Sequence, residues 1–137
     1  MSNALPTMTP RQRIGLIGEE AVARRYVEMG FSVVARNLHI FRNEIDLILQ
    51  SKTHLVFVEV KTRHAIPGVS SKYGRPAAAI DQAKQTRMRR AAKDYLRMHP
   101  TSLQPRIDVA EVYLVKGVDG EDTVQDIKLF PAAYAGR

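Results

Sequence analysis

The chain has 137 residues, enough for one domain with one core, and its 45% hydrophobic and 26% charged residues are the balance of a soluble globular protein. It contains no cysteine, which excludes disulfides, thiolate nucleophiles and thiolate metal sites, and no apolar run nears the roughly 18 residues of a membrane span. Lys and Arg number 21 against 14 Asp and Glu, and this excess of +7 draws in polyanions and speeds encounter with them.

Residues 1–9 are small, polar and proline-containing, and read as a leader without a signal-peptide core, so the expected compartment is the cytoplasm. The remainder, 10–137, reads as a single domain. Thr9 can cap a first helix with Pro10 in its first turn, and apolar residues recur at Ile14, Ile17, Ala21, Val22, Tyr26 and Met29 before Gly30 ends it. A first strand is predicted over Phe31 to Leu38. The chain then turns near Arg42-Asn43, runs from Glu44 to about Leu49, and after "SKTH" continues as "LVFVEVKTR". Three strands with short links predict an antiparallel meander. Ala65 to Pro76, rich in Gly, Ser and Pro, reads as a loop long enough to be functional or to stay disordered until a partner arrives. A second helix is predicted over Ala77 to Met98, with an apolar stripe that includes Ile80, Ala83, Met88, Ala91, Ala92, Tyr95 and Leu96. "RIDVAEVYLV" is a fourth strand, Asp119-Gly120 a hairpin tip, and "TVQDIKLF" a weaker last strand. The order α-β-β-β-α-β-β predicts an α/β domain whose mixed β-sheet is flanked by helices.

The charged residues inside the second and third strands need explaining. Glu59 and Lys61 point to one face, their Cα atoms about 6.6–7 Å apart, and Phe57 shares that face. Asp46 shares a face with Glu44 and Ile48, while Ile45, Leu47 and Leu49 point the other way. A hairpin turning between Gln50 and His54 puts Asp46 within one position of Glu59. Two carboxylates on one face are costly without a cation between them. Hard oxygen ligands suit Mg²⁺ or Mn²⁺, and an adjacent lysine can hold a water or stabilise charge on a phosphate. The same three residues also fit a surface ion-pair cluster on a half-exposed sheet. Strand periodicity leaves both readings open.

"NEIDLIL" followed by "LVFVEVKTR" gives Asp46, twelve intervening residues, then Glu59-x-Lys61. This resembles the PD-(D/E)xK nuclease core, the restriction-endonuclease-like fold shared by Holliday-junction resolvases. "GEEAVARRYVEMGFSVVARN", "NEIDLI", "FVEVKTR" and "AKQTRMRRAAKDYL", in that order, further resemble the YraN-type bacterial family. The resemblance implies Asp46 and Glu59 as ligands of Mg²⁺ or Mn²⁺, with the Val60 carbonyl a third, and Lys61 as the catalytic lysine. It adds Glu19 as a further carboxylate, and Glu44 as an extra or supporting ligand. Asn43 stands where the family has glycine; Asn tolerates a left-handed backbone, so the turn can survive. The resemblance also admits a homodimer.

Lys84 matches a lysine of the same pattern. With Arg87, Arg89, Arg90, Lys93 and Arg97 it gives the second helix a broad basic surface, and Arg63, Lys72 and Arg75 flank or lie in the long loop. Lys84, Arg87, Arg63 and Arg75 are therefore the candidate nucleic-acid contacts. No Gly-rich phosphate loop, nucleophilic triad or small-molecule cofactor motif is visible, and His39, His54, His64 and His99 show no ligand spacing. The expectation is a metal-dependent nuclease acting on DNA, branched or otherwise structured DNA included. The alternative is a non-catalytic nucleic-acid-binding or adaptor protein on a nuclease-like fold.

Overall fold

The computed structural model describes residues 7–65 and 82–133. The expected loop beyond Ala65 and the first residues of the expected second helix, with Lys72, Arg75 and Ile80, lie outside the described residues.

Helix α1 (Pro10–Glu28) starts where the sequence places it. The Thr9 hydroxyl accepts the Gln12 amide at 3.1 Å, and the Gln12 side chain accepts the Thr9 amide at 2.9 Å, so two otherwise unpaired donors are satisfied reciprocally. Gly30, at φ +100°, turns the chain out of the helix. Strands β1 (Ser32–Ile40), β2 (Asn43–Gln50) and β3 (His54–His64) form the expected antiparallel meander. Helix α2 (Gln82–Met98) follows; β4 (Gln104–Lys116) then lies parallel to β3, and β5 (Asp122–Phe130) returns antiparallel to β4. The five strands stand in chain order in one mixed sheet. This is the α-β-β-β-α-β-β architecture read from the sequence.

Among the described residues, α1 covers one face of the sheet and α2 the other. Val22, Ala23 and Tyr26 of α1 pack on Leu47, Leu49, Val56, Val58, Ala110, Val112 and Leu114. Met88, Ala91, Ala92 and Tyr95 of α2 pack on Ile45, Ile48, Leu55, Phe57 and Val109. Strands buried on both faces need apolar residues at every position, which is why "LVFV" does not alternate. Ala83, expected in the buried stripe of α2, is exposed in its first turn.

Two expectations are corrected. Strict alternation puts Ile45 and Ile48 on opposite faces, yet both belong to the α2-side core while Leu47 faces α1, so alternation breaks at Asp46. Opposite that break Asn37 takes φ +47°, and regular β1–β2 pairing skips the Asn37–Asp46 position. The left-handed residues of this hairpin are accordingly Asn37 and Phe41 (φ +53°), not Asn43.

Away from this hairpin, a buried cross-link ties α1 to β4. The Tyr26 hydroxyl donates to Asp108 at 2.6 Å, Arg106 donates two hydrogen bonds to the same carboxylate at 2.8 and 2.9 Å, and the Ala132 amide adds a fourth at 2.9 Å. Asp108 is wholly buried, and four donors are what make such a carboxylate tolerable.

Candidate functional site

The site forms where β2 and β3 part. Their pairing runs from Gln50↔Leu55 to Leu47↔Val58 and stops. The next pair in register would be Asp46 and Glu59, which meets the expectation that these residues lie within one position of each other. Instead of a backbone carbonyl, the Asp46 carboxylate accepts the Val60 amide, at 2.8 Å. A side chain thus supplies the acceptor that the departing strand no longer offers. The gap widens into a cavity of about 190 Å³ lined by Arg42, Asn43, Glu44, Asp46, Glu59, Lys84, Arg87 and Met88.

Glu59 is 3% exposed, continuing the face that Phe57 buries under α2. Its Oε2 lies 3.4 Å from Lys61 Nζ and 3.3 Å from Lys84 Nζ. A carboxylate this deep needs countercharge, and two ammonium groups from different elements provide it. A solvated surface ion pair does not describe Glu59. The structure therefore brings Asp46, Glu59, Lys61 and Lys84 together, with Arg87 on the cavity wall.

Glu19 approaches Asp46 from the α1 side. It borders a separate groove with Asn37 and Glu44, and Glu44 lines both spaces. Its neighbour Glu20 points elsewhere, bonding Arg36 at 3.1 Å and Arg24 at 3.4 Å. Burial raises the Glu19 pKa and the neighbouring Glu44 adds to this, against a lowering hydrogen bond from Asn37 and the charge of Arg36. Asp46 feels the crowding most. Burial, then the charges of Glu19, Glu59 and Glu44, push it up to about 6 despite the Val60 hydrogen bond that favours its ionised form.

The close approach of α1 has one cause. Gly18 is buried against β3, and a Cβ there would stand 1.8 Å from Thr62 Oγ1. Only glycine lets the helix come this near, and Glu19 is carried in with it.

Sequence reasoning missed three contributors. Arg42, by sequence a turn residue, lines the cavity. Asn37 interrupts an apolar strand, and that interruption was its signal. Glu111 on β4 is 3% exposed, sits beside Lys61 in the parallel register, and accepts the Tyr113 hydroxyl at 2.7 Å. Burial and that bond to Glu111 push the Tyr113 hydroxyl up to about 12. A glutamate inside "VAEVYLV" repeats the pattern of "FVEVKT" and could have been flagged on that ground. Arg63 is exposed near the end of β3, and Arg75 lies outside the described residues. None of the four histidines lines the cavity; His39 is 3.6 Å from Glu44 and His64 bonds Asp122 at 2.8 Å.

Among the described residues, no three His, Asp or Glu side chains are grouped so as to hold a metal ion by themselves. Mg²⁺ does not require such a cage: it is commonly held by one or two carboxylates, waters and substrate phosphate oxygens. Asp46, its pKa raised by burial and then by its acidic neighbours, and Glu59 on the same cavity fit that mode.

A family model described as "Uncharacterised protein family UPF0102" matches residues 18–112. The chain belongs to this family. The UPF0102 match spans Gly18, Glu19, Asp46, Glu59, Lys61, Lys84 and Glu111. A UPF0102 protein of Symbiobacterium thermophilum is 42% identical over 102 residues, 74% of this chain and 82% of the relative. One from Caldicellulosiruptor saccharolyticus is 32% identical over 125 residues, 90% of this chain and 98% of its own length. Two solved structures each align with 85% of the chain: SfsA of Pyrococcus furiosus in complex with Ca²⁺ (12% identity, TM-score 0.48) and a repair endonuclease from Pyrococcus abyssi (18% identity, TM-score 0.38). The chain spans 63% of the first and 42% of the second. Among the described residues no helix is long and apolar enough to cross a membrane.

Proposed function

We propose that this UPF0102 protein is a metal-dependent endonuclease that hydrolyses phosphodiester bonds in DNA, structured or branched DNA included. The observation that carries the reading is the meeting of Asp46 and Glu59 at the parting of β2 and β3, with Lys61 and Lys84 within 3.4 Å of the Glu59 carboxylate. Asp46 and Glu59, aided by Glu19, would hold Mg²⁺ or Mn²⁺. The ion would supply Lewis acidity at the scissile phosphate and acidify the attacking water. Lys61 orients that water or offsets charge developing on the phosphate. Lys84, Arg87 and Arg42, which share the cavity wall, hold the neighbouring phosphates.

The test is cleavage of labelled linear and branched DNA with Mg²⁺, Mn²⁺ or chelator, by the wild type, Asp46→Asn and Lys61→Ala. Metal-dependent cleavage should disappear in both variants while DNA binding persists. Cleavage that survives both substitutions overturns the mechanism. The salt bridges from Lys61 and Lys84 to Glu59 favour one second reading, a DNA-binding protein whose acidic cluster is held shut by lysines. That reading predicts binding without cleavage, and no Mg²⁺-induced thermal shift that Asp46→Asn removes.

A further inference from the structure

The turn between β1 and β2 is built against the ordinary preferences of its residues. Phe41 is 78% exposed, and its backbone sits at φ +53°. Bulky side chains avoid that region, where Gly, Asn or Asp would be accepted at lower cost. An aromatic ring in water forgoes burial as well. Stability alone would therefore not select phenylalanine here, and a strained, exposed residue beside a site invites a functional explanation. The position is fixed on both sides. Ile40, which precedes it, is 3% exposed in the α2-side core, and Arg42, which follows it, lines the cavity with Asp46, Glu59 and Lys84.

From this we infer that Phe41 is a stacking platform for an unpaired nucleobase of the bound strand, and so a determinant of preference for nucleic acid with unpaired positions. The inference rests on the nucleic-acid part of the proposed function, not on cleavage. Arg42, Lys84 and Arg87 line the cavity and favour a strand whose phosphates lie there. An exposed aromatic residue one position from a cavity wall that carries Arg42, Lys84 and Arg87 beside its carboxylates offers a stack and phosphate contacts together, and every base offers a π-face. Within a continuous duplex those faces are covered by neighbouring bases. Only an unpaired base or an interrupted stack can meet a single ring.

The experiment is fluorescence anisotropy in chelator, where metal-dependent cleavage cannot intervene. The probes are a DNA duplex closed by loops too tight to stack on and the same duplex carrying a short unpaired stretch. Phe41→Ala and Phe41→Gly should weaken binding of the interrupted probe about ten-fold, from the loss of one base–aromatic stack, and leave the closed duplex unchanged. Phe41→Trp should retain the preference. Phe41→Gly should also raise the melting temperature by relieving the turn, which separates lost stacking from lost folding. Equal loss on both probes, or no loss on either, overturns the role of Phe41 while leaving the nuclease reading standing. If the wild type binds neither probe, the nucleic-acid reading falls and this inference with it. A wild-type dimer that Phe41→Ala dissociates without changing probe preference would assign Phe41 to a contact between copies and also overturn it.

Discussion

The Asp46 carboxylate accepts the Val60 amide at 2.8 Å at the point where β2 leaves β3, so one side chain both satisfies the amide left by the parting strands and lines the cavity. Asparagine can keep that acceptor through its amide oxygen; alanine cannot. Asp46→Asn should therefore be more stable than Asp46→Ala by about 1–2 kcal/mol in urea denaturation, the cost of leaving a partly buried amide unpaired. Both substitutions should abolish cleavage, which separates the structural role of the residue from its chemical one.

The raised pKa of Asp46 makes a signed prediction. Its folded-state value, about 6, exceeds its ordinary 3.8, so the folded protein holds this proton more tightly than the unfolded chain. That contribution to stability is complete below about pH 4 and is lost as the pH rises through 6. Asp46→Asn removes the charge, so it should be more stable than the wild type at pH 7–8, by roughly 1–3 kcal/mol after allowance for partial solvent exposure. The advantage should fade below pH 4. Thermal melts across pH 3.5 to 8 without divalent metal would show it, and a flat difference between the two proteins would refute the assignment.

Gly18→Ala should push α1 away from β3, because its Cβ would meet Thr62 Oγ1 at 1.8 Å and Thr62 Cβ at 2.9 Å. Overpacking of this kind costs about 1–3 kcal/mol. Cleavage should fall as well, since Glu19 moves with the helix. Adding Thr62→Ala should restore only part of the stability in chemical denaturation, as the clash with Cβ remains.

Tyr26→Phe deletes one of four donors to the buried Asp108 and should cost about 1–2 kcal/mol. Arg106→Ala deletes two and leaves the carboxylate short of countercharge, so it should cost more, about 3 kcal/mol. Calorimetry on both variants checks the order. Neither residue lines the cavity, so DNA affinity of the folded fraction should be unchanged.

Arg87→Ala should weaken DNA binding to a similar degree on every sequence and reduce the salt dependence by about one phosphate contact. Lys84→Ala should do the same and, by removing a partner of Glu59, also change the metal concentration needed for cleavage. Titrations over a range of NaCl concentrations separate the two effects.

Much of this protein follows from local pattern. Thr9, Pro10 and Gly30 set the ends of α1; the runs of Val, Ile and Leu set the strands; Asp119-Gly120 sets the last hairpin, with Gly120 at φ +83°. Those features depend on neighbours in the chain, so the sequence suffices for them. The hairpin register that brings Asp46 to Glu59 is local too, since a short turn leaves few alternatives. Tertiary structure alone decided whether these charges lie in water or in the interior. Burial depends on what covers a face, and α2, distant in sequence, covers the face of Phe57 and Glu59. It also decided that Lys84 reaches Glu59, that Gly18 seats α1 on Thr62, and that Asp46 stands at the break in alternation. Each of these joins elements whose separation is fixed by packing, and no pattern within one strand or one helix encodes it.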